Sequence, residues 1–412
     1  MTLHPTVAEA LAPLRDRFWQ IDEQTHHHLQ RVLQAFAAHR VSASHFAGTT
    51  GYGHDDLGRE VLDKVFAQIV EAPAAIVRSQ IVSGTHAIAC ALYGVLRPGD
   101  ELLAVAGAPY DTLEPVLGLR QTDPGSLRDF GVTYRQLDLT AEGAIDWGAL
   151  ATAIQPQTKT VLIQRSRGYA WRPSLTVADI ARIVATVKAQ NPDVICFVDN
   201  CYGEFVETQE PTAVGADLMA GSLIKNPGGT LVPYGGYVAG RADLVTAAAN
   251  RLTAPGIGAH GGASENRRLN FQGLFLAPQM VGETLKGLIL AAQFFAQRGY
   301  AVQPGPFDQR SDTIQALRLD SAAQLQAFCR QIQQCSPVDA FVSPVPAVTP
   351  GYDSALVMAG GTFIDGSTAE LSADGPLRPP YTVYCQGGTH WTHMAVVLAA
   401  FAENDPEAPM VK

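Results

Sequence analysis

Apolar residues recur along this chain with two periods, and the place where the period changes outlines the architecture. From about Thr6 to Arg40 they fall at helical spacing: Leu11, Leu14, Phe18 and Ile21, then Leu29, Val32, Leu33 and Phe36, which predicts one or two helices. Glycines at 48, 51, 53 and 58 break the pattern into a loop, followed by a helix with Asp55 or Asp56 as its cap. From about Arg78 short β-rich runs alternate with helical ones. Helices are predicted over 84–96, 113–119, 147–154 and 177–189, the last capped by Ser174 or Thr176. Strands are predicted over 101–106, 132–139, 160–164, 194–198, 218–224 and 235–239. This alternation predicts an α/β fold with a mostly parallel sheet covered on both faces.

A strongly apolar helix over 278–297 then leads into a smaller C-terminal α+β domain. Its strands are expected over 313–319, 340–342, 355–358 and 381–385, and its helices over 322–333 and 391–401. The organisation expected is an N-terminal helical arm (1–50), a large domain (51–277), and a linking helix with a small domain (278–412). A length of 412 residues agrees with more than one core.

Composition narrows the function. A chain that is 47% hydrophobic and 17% charged buries a substantial interior. Its net charge of −10 argues against a nucleic-acid partner, because phosphates need cations to neutralise them. No apolar run approaches the ~20 residues of a membrane helix, and the first residues lack a basic stretch followed by an apolar one, so neither a membrane nor a secretory route is expected. The six cysteines form no Cys-x-x-Cys pair and read as small buried hydrophobes in a reducing compartment, with the cytoplasm as default location. No metal site is expected. His26, His27 and His28 are consecutive, spread around a helix and read as a solvated surface.

The most informative residue is Lys225, in Gly221-Ser-Leu-Ile-Lys225-Asn-Pro-Gly-Gly229. A lone lysine in an apolar stretch is poorly explained as a surface charge. The apolar run 194–198 ends at Asp199, so a strand-end carboxylate precedes it in the chain. A lysine that forms a Schiff base and an aspartate that keeps a pyridine nitrogen protonated are the two residues pyridoxal phosphate (PLP) chemistry needs. A buried ion pair is the competing explanation. Other residues fall at the carboxyl ends of strands, where ligands of open α/β sheets sit. Ser83, Gly84 and Thr85 open a helix whose amides and dipole suit a phosphate. Tyr110 follows the next strand and offers a ring to stack on a heterocycle. Ser222 lies three residues before Lys225 and offers a phosphate a hydroxyl.

This ordered set resembles the fold-type I PLP enzymes, and the resemblance covers nearly the whole chain. More narrowly, Ile81-Val-Ser-Gly-Thr-His-Ala-Ile88, Phe197-Val-Asp-Asn-Cys-Tyr-Gly-Glu-Phe-Val-Glu207 and the Lys225 motif are similar to the methionine γ-lyase-like, aluminium resistance branch related to the cystathionine lyases. Segments 51–59 and 378–388 fit the same branch. The resemblance implies an aspartate aminotransferase-like, PLP-dependent transferase fold. It implies that Lys225 carries the Schiff base, Asp199 pairs with the pyridinium and Tyr110 stacks on the ring, while Ser83, Gly84, Thr85 and Ser222 bind the cofactor's phosphate side. Arg378 matches the arginine that clamps the substrate carboxylate, a bidentate role that suits guanidinium. Tyr52 matches a tyrosine reaching across a dimer interface, implying a homodimer or homotetramer with shared active sites.

Two positions depart from the cystathionine lyase pattern. Ile224 stands where those enzymes carry a hydroxyl residue. Gln164-Arg-Ser-Arg-Gly168 lacks the usual Asn-Pro, leaving Arg165 or Arg167 as partner for the cofactor's phenolic oxygen. The activity expected is carbon–sulfur lysis of a sulfur amino acid by β- or γ-elimination, with Lys225 as base and Tyr110 or Tyr52 as acid. An aminotransferase or aldolase reaction would use the same residues, and a PLP-carrying or metal-stress protein without turnover is the reading from another class.

Overall fold

The computed structural model describes residues 3–120, 124–265, 267–348 and 354–404. Seven strands form the larger sheet: β1 (Ala74–Arg78), β2 (Glu101–Ala104), β3 (Thr133–Gln136), β4 (Thr158–Gln164), β5 (Ile195–Asp199), β6 (Leu218–Ser222) and β7 (Gly236–Gly240). Their spatial order is β1-β7-β6-β5-β4-β2-β3. The run from β6 to β3 is parallel, and β7 pairs antiparallel with both β6 and β1. Central strands β5, β6 and β7 are buried at every residue, as a sheet covered on both faces requires. Two apolar clusters flank it. One includes Ile88 and Leu92 of the helix Gly84–Val95; the other includes Ile180 and Ile183 of the helix Val177–Gln190.

A second, five-stranded sheet follows: β8 (Val302–Gln303), β9 (Ile314–Arg318), β10 (Leu356–Ala359), β11 (Ser372–Pro376) and β12 (Thr382–Gln386), ordered β10-β11-β12-β9-β8 and antiparallel throughout. The helix Arg268–Ala296 links the two sheets, and the N-terminal helix Arg15–Ala38 packs along it. By length and composition this linking helix could cross a membrane, and 72% of its most apolar window is buried inside the fold.

Most predicted elements are present with shifted ends. Asp56 and Thr176 are the helix caps, accepting from the amides of Arg59 and Asp179. The differences have physical causes. The linking helix begins at Arg268 and runs through Pro278, which the pattern had placed at its start; buried Ala277, Pro278 and Val281 hold the helix across the missing N–H. Residues 340–342 form no strand: Phe341 is exposed and Asp339 has a left-handed backbone. Unpredicted β11 has the sequence Ser-Ala-Asp-Gly-Pro, poor in intrinsic strand formers, and pairs on both sides. His28 is not a solvated residue. It is buried edge-on to Phe205, ring centroids 5.5 Å apart.

Candidate active site

β5 and β6 are parallel neighbours, and their carboxyl ends carry Asp199 and Ser222 to the same edge of the sheet. Immediately beyond β6 the chain turns through the short helix Asn226–Gly228, with Lys225 as the residue before it. This turn is pressed against the linking helix. A Cβ on Gly229 would run into the Gly273 carbonyl, and Gly229 has φ of +52°, so the close approach requires glycine. The lysine is therefore set by a braced loop.

Asp199 is buried, and its Oδ1 accepts from the Cys201 amide at 3.1 Å. Burial pushes its carboxyl above the usual range, while the nearby Lys225 ammonium and Cys201 pull it partway back. Burial alone lowers the Lys225 pKa, and the Asp199 carboxylate facing it acts in the opposite direction. The Cys201 thiol and the Tyr110 and Tyr202 phenols are themselves pushed up by burial, and so stay protonated at neutral pH. Asp199 is then the acid that balances the lysine. Tyr110 is half-buried; its O–H lies 3.2 Å from Thr85 Oγ1, and its amide donates to Gln164 Oε1 at 3.1 Å.

The helix Gly84–Val95 aims its first turn at this edge. Its opening amides have no intrahelical acceptor and make an anion site together with the helix dipole. Gly84 is buried, and a Cβ there would meet Cys201 Sγ at 3.0 Å and Ser222 Cβ at 3.3 Å. The Ser222 hydroxyl is buried with no hydrogen-bond partner among the described residues, an arrangement that costs roughly 1–3 kcal/mol unless something accepts from it or donates to it. An orphaned hydroxyl, free helix amides, a lysine and a strand-end aspartate together fit a phosphorylated pyridine aldehyde. The Ser83 hydroxyl is already committed, accepting from the His86 amide at 3.0 Å as the helix cap.

Four further residues are expected at the site from the sequence. Arg165 is fully buried and bound to Asn200 Oδ1 (2.7 Å), Glu207 Oε1 (3.0 Å) and Glu210 Oε2 (3.4 Å). Arg167 donates to the Gln303 carbonyl at 2.8 Å and lies 3.6 Å from Asp312. Both guanidinium groups thus make internal contacts, while the Nε of each is buried without a hydrogen-bond partner among the described residues. Arg378 is exposed on the turn between β11 and β12, and its charge reaches the Tyr384 phenol, which donates to the Tyr169 carbonyl at 2.8 Å. Tyr52 is 79% exposed with its ring against His54; a side chain this exposed is outside the buried cluster around Lys225. Two residues in the site had drawn no individual role from sequence. Tyr202 places its ring centroid 3.8 Å from Lys225 Nζ, and Gln164 holds the Tyr110 backbone. Tyr202 has a left-handed backbone (φ +72°), which no sequence period signals.

The family model described as methionine gamma-lyase matches residues 4–405. The chain belongs to the methionine gamma-lyase family. This is a family of PLP-dependent lyases with the fold-type I architecture described above. An uncharacterized Bacillus subtilis protein, YnbB, is 49% identical over 404 residues, spanning 98% of this chain and 96% of its own. A Listeria innocua structure named as a "putative cystathionine beta-lyase involved in aluminum resistance" is 47% identical, with a TM-score of 0.94 over 97% of this chain and 98% of that one. A Clostridium novyi structure named as a carbon-sulfur lyase involved in aluminum resistance is 42% identical, with a TM-score of 0.92 over 97% and 95% of the two chains.

Proposed function

We propose that this family member is a carbon–sulfur lyase. Its substrate is a sulfur amino acid of the cystathionine, methionine or cysteine type, and it releases a thiol, ammonia and a 2-oxo acid by elimination from Cβ or Cγ. The observation that carries the proposal is the meeting of Lys225, Asp199 and the orphaned Ser222 hydroxyl at one sheet edge, beside the opening turn of the helix Gly84–Val95. The names of the Listeria and Clostridium proteins support the carbon–sulfur bond as the one broken.

PLP, when bound, supplies an electron sink conjugated to the substrate's α-amino group. Ser222 and the amides of Gly84 and Thr85 would hold its phosphate, Tyr110 would cover its ring, and Asp199 would keep a proton on its ring nitrogen. Lys225 anchors the cofactor and, once free, takes the Cα proton. That role needs an amine close to the substrate and screened from water, which the braced loop and surrounding rings supply. Arg378 is assigned to the substrate carboxylate. Tyr110, or Tyr52 from a second copy of the chain, gives a proton to the departing thiolate.

The test is a visible spectrum of the purified protein with PLP, followed by product analysis on a cystathionine, cysteine and methionine panel. A band near the visible edge, and thiol with ammonia and a 2-oxo acid, are expected, with turnover abolished in Lys225→Ala. A protein that never binds PLP overturns the proposal. Glycine with an aldehyde as product, or turnover that needs an amino acceptor, replaces it with an aldolase or aminotransferase. Absence of turnover by a PLP-loaded protein favours a non-catalytic role.

A further inference from the structure

Lys225 has to leave the cofactor in each turnover and return, so its free amino group needs a place to wait. Its Nζ lies 3.8 Å from the centroid of the Tyr202 ring, within the ~6 Å range of a cation–π contact. Three features make this contact built rather than incidental. Tyr202 is a non-glycine residue at φ +72°, a backbone conformation that costs of order 1–3 kcal/mol and persists only where its surroundings enforce it. Its carbonyl accepts from the Thr313 amide at 3.1 Å, Thr313 Oγ1 donates to Asn226 Oδ1 at 3.2 Å, and Asn226 Nδ2 donates to the Glu204 carbonyl at 2.9 Å. Asn226 directly follows Lys225 and Glu204 closely follows Tyr202, so one hydrogen-bonded circuit fixes the lysine loop against the tyrosine loop. Finally, Tyr202 packs against the small-domain cluster of Ile314, Ala316 and Tyr384, on which Tyr169 and Trp171 also rest.

We infer that Tyr202 is a positioning residue whose ring face receives the free Lys225 ammonium group and holds it beside the site until it rejoins the cofactor. The inference rests on the assignment of Lys225 in the proposed function and adds a residue to that site. A ring face stabilises the charged form of the amine, so removing it must make the free lysine easier to deprotonate. The other titratable groups facing Lys225 are Asp199, Cys201 and Tyr110, with Glu204 close behind. They remain in place when only the ring is altered. Lys225 and the Tyr202 phenol are also hydrogen-bonding neighbours, so ring and hydroxyl have to be separated by experiment.

The experiment uses full-length protein stripped of PLP. Trinitrobenzenesulfonate labelling of Lys225 is followed by peptide mass mapping, with exposed Lys64 as internal reference. At about pH 8, well below the ordinary lysine pKa, the labelling rate follows the small neutral fraction, so each unit fall in pKa gives roughly tenfold faster labelling. Tyr202→Leu is expected to accelerate labelling about two- to thirtyfold, the range spanned by a lost cation–π contact, and Tyr202→Phe to leave it near the wild-type rate. Because Tyr202→Leu could unfold the loop, the deciding series places Phe, then mono-, tri- and pentafluorophenylalanine, at position 202. These keep the shape while draining the ring face of negative charge, and the rate should climb with each fluorination step. A flat series overturns the inference, as does an acceleration in Tyr202→Phe that matches the pentafluoro variant, which would assign the hold to the hydroxyl. None of these outcomes depends on the substrate, whereas failure of the PLP spectrum would remove the proposed function itself.

Discussion

Ser222 shows how a single atom can report a missing partner. Its hydroxyl is buried without a hydrogen bond among the described residues, which a chain at equilibrium tolerates only if something else offsets the loss. Ser222→Ala should weaken PLP binding roughly ten- to hundredfold, the value of one hydrogen bond to a charged group. The thermal midpoint of the PLP-free protein should stay equal or rise, because nothing in it uses the hydroxyl. Fluorescence titration with PLP and melting of the stripped protein check both halves, and a variant that binds PLP as tightly as wild type removes Ser222 from the phosphate site. Several residues of this cluster were legible in the sequence because strand ends and helix starts follow from hydrophobic period, and chemistry collects there. Arg165 and Arg167 were not distinguishable by that means. Their partners Glu207, Glu210 and Asp312 come from distant segments, and adjacency in sequence says nothing about which side of a strand end each arginine takes.

At the scale of elements, the helix Arg15–Ala38 carries the clearest pH dependence. Burial, followed by the charges of Arg31 and His27, lowers the His28 pKa to about 3. The native state therefore holds this ring neutral, while the unfolded chain takes up a proton below its ordinary value near 6.5. The unfolded state binds more protons between these limits, so this group's contribution to stability grows as pH rises from about 3 to 6.5 and is lost as pH falls. From pH 7 to pH 5 the loss should be about 2 kcal/mol. Denaturant unfolding of wild type and His28→Leu at both pH values tests it: the difference between the two proteins should change by that amount, and a constant difference refutes it. Comparing proteins is necessary because the buried Glu204 and Asp374 carboxyls, raised to about 8 and about 6, act with the opposite sign. The periodic pattern located this helix well. It missed the burial of His28 because three adjacent histidines look alike until Phe205 covers one of them.

For the whole molecule, the exposed Tyr52 ring poses the question of assembly. A tyrosine assigned to catalysis and 79% exposed in one chain is accounted for if a second copy receives it. We propose a symmetric homodimer, or a homotetramer built from such dimers, in which Tyr52 of each chain completes the site of its partner. Tyr52→Ala and Lys225→Ala should each be nearly inactive. Refolding an equal mixture should restore about a quarter of wild-type activity, because half of the dimers are hybrids and each hybrid holds one intact site. No recovery in mixtures that demonstrably exchange subunits would place Tyr52 in its own chain's site, or outside the site altogether.

What the sequence determined by itself was the alternation of strands and helices, the linking helix, and the order of phosphate loop, aromatic residue, strand-end aspartate and lysine. These depend on local periodicity and on residue chemistry at element ends, and both are written along the chain. Tertiary structure decided the rest. β11 exists because two neighbouring strands pair with a sequence that has little strand preference of its own. The linking helix continues through Pro278 because packing outweighs one absent hydrogen bond. Tyr202 meets Lys225 because Thr313, from beyond the linking helix, ties two loops of the large domain together. Each of these depends on contacts between residues far apart in the chain, whose free energies no local pattern contains.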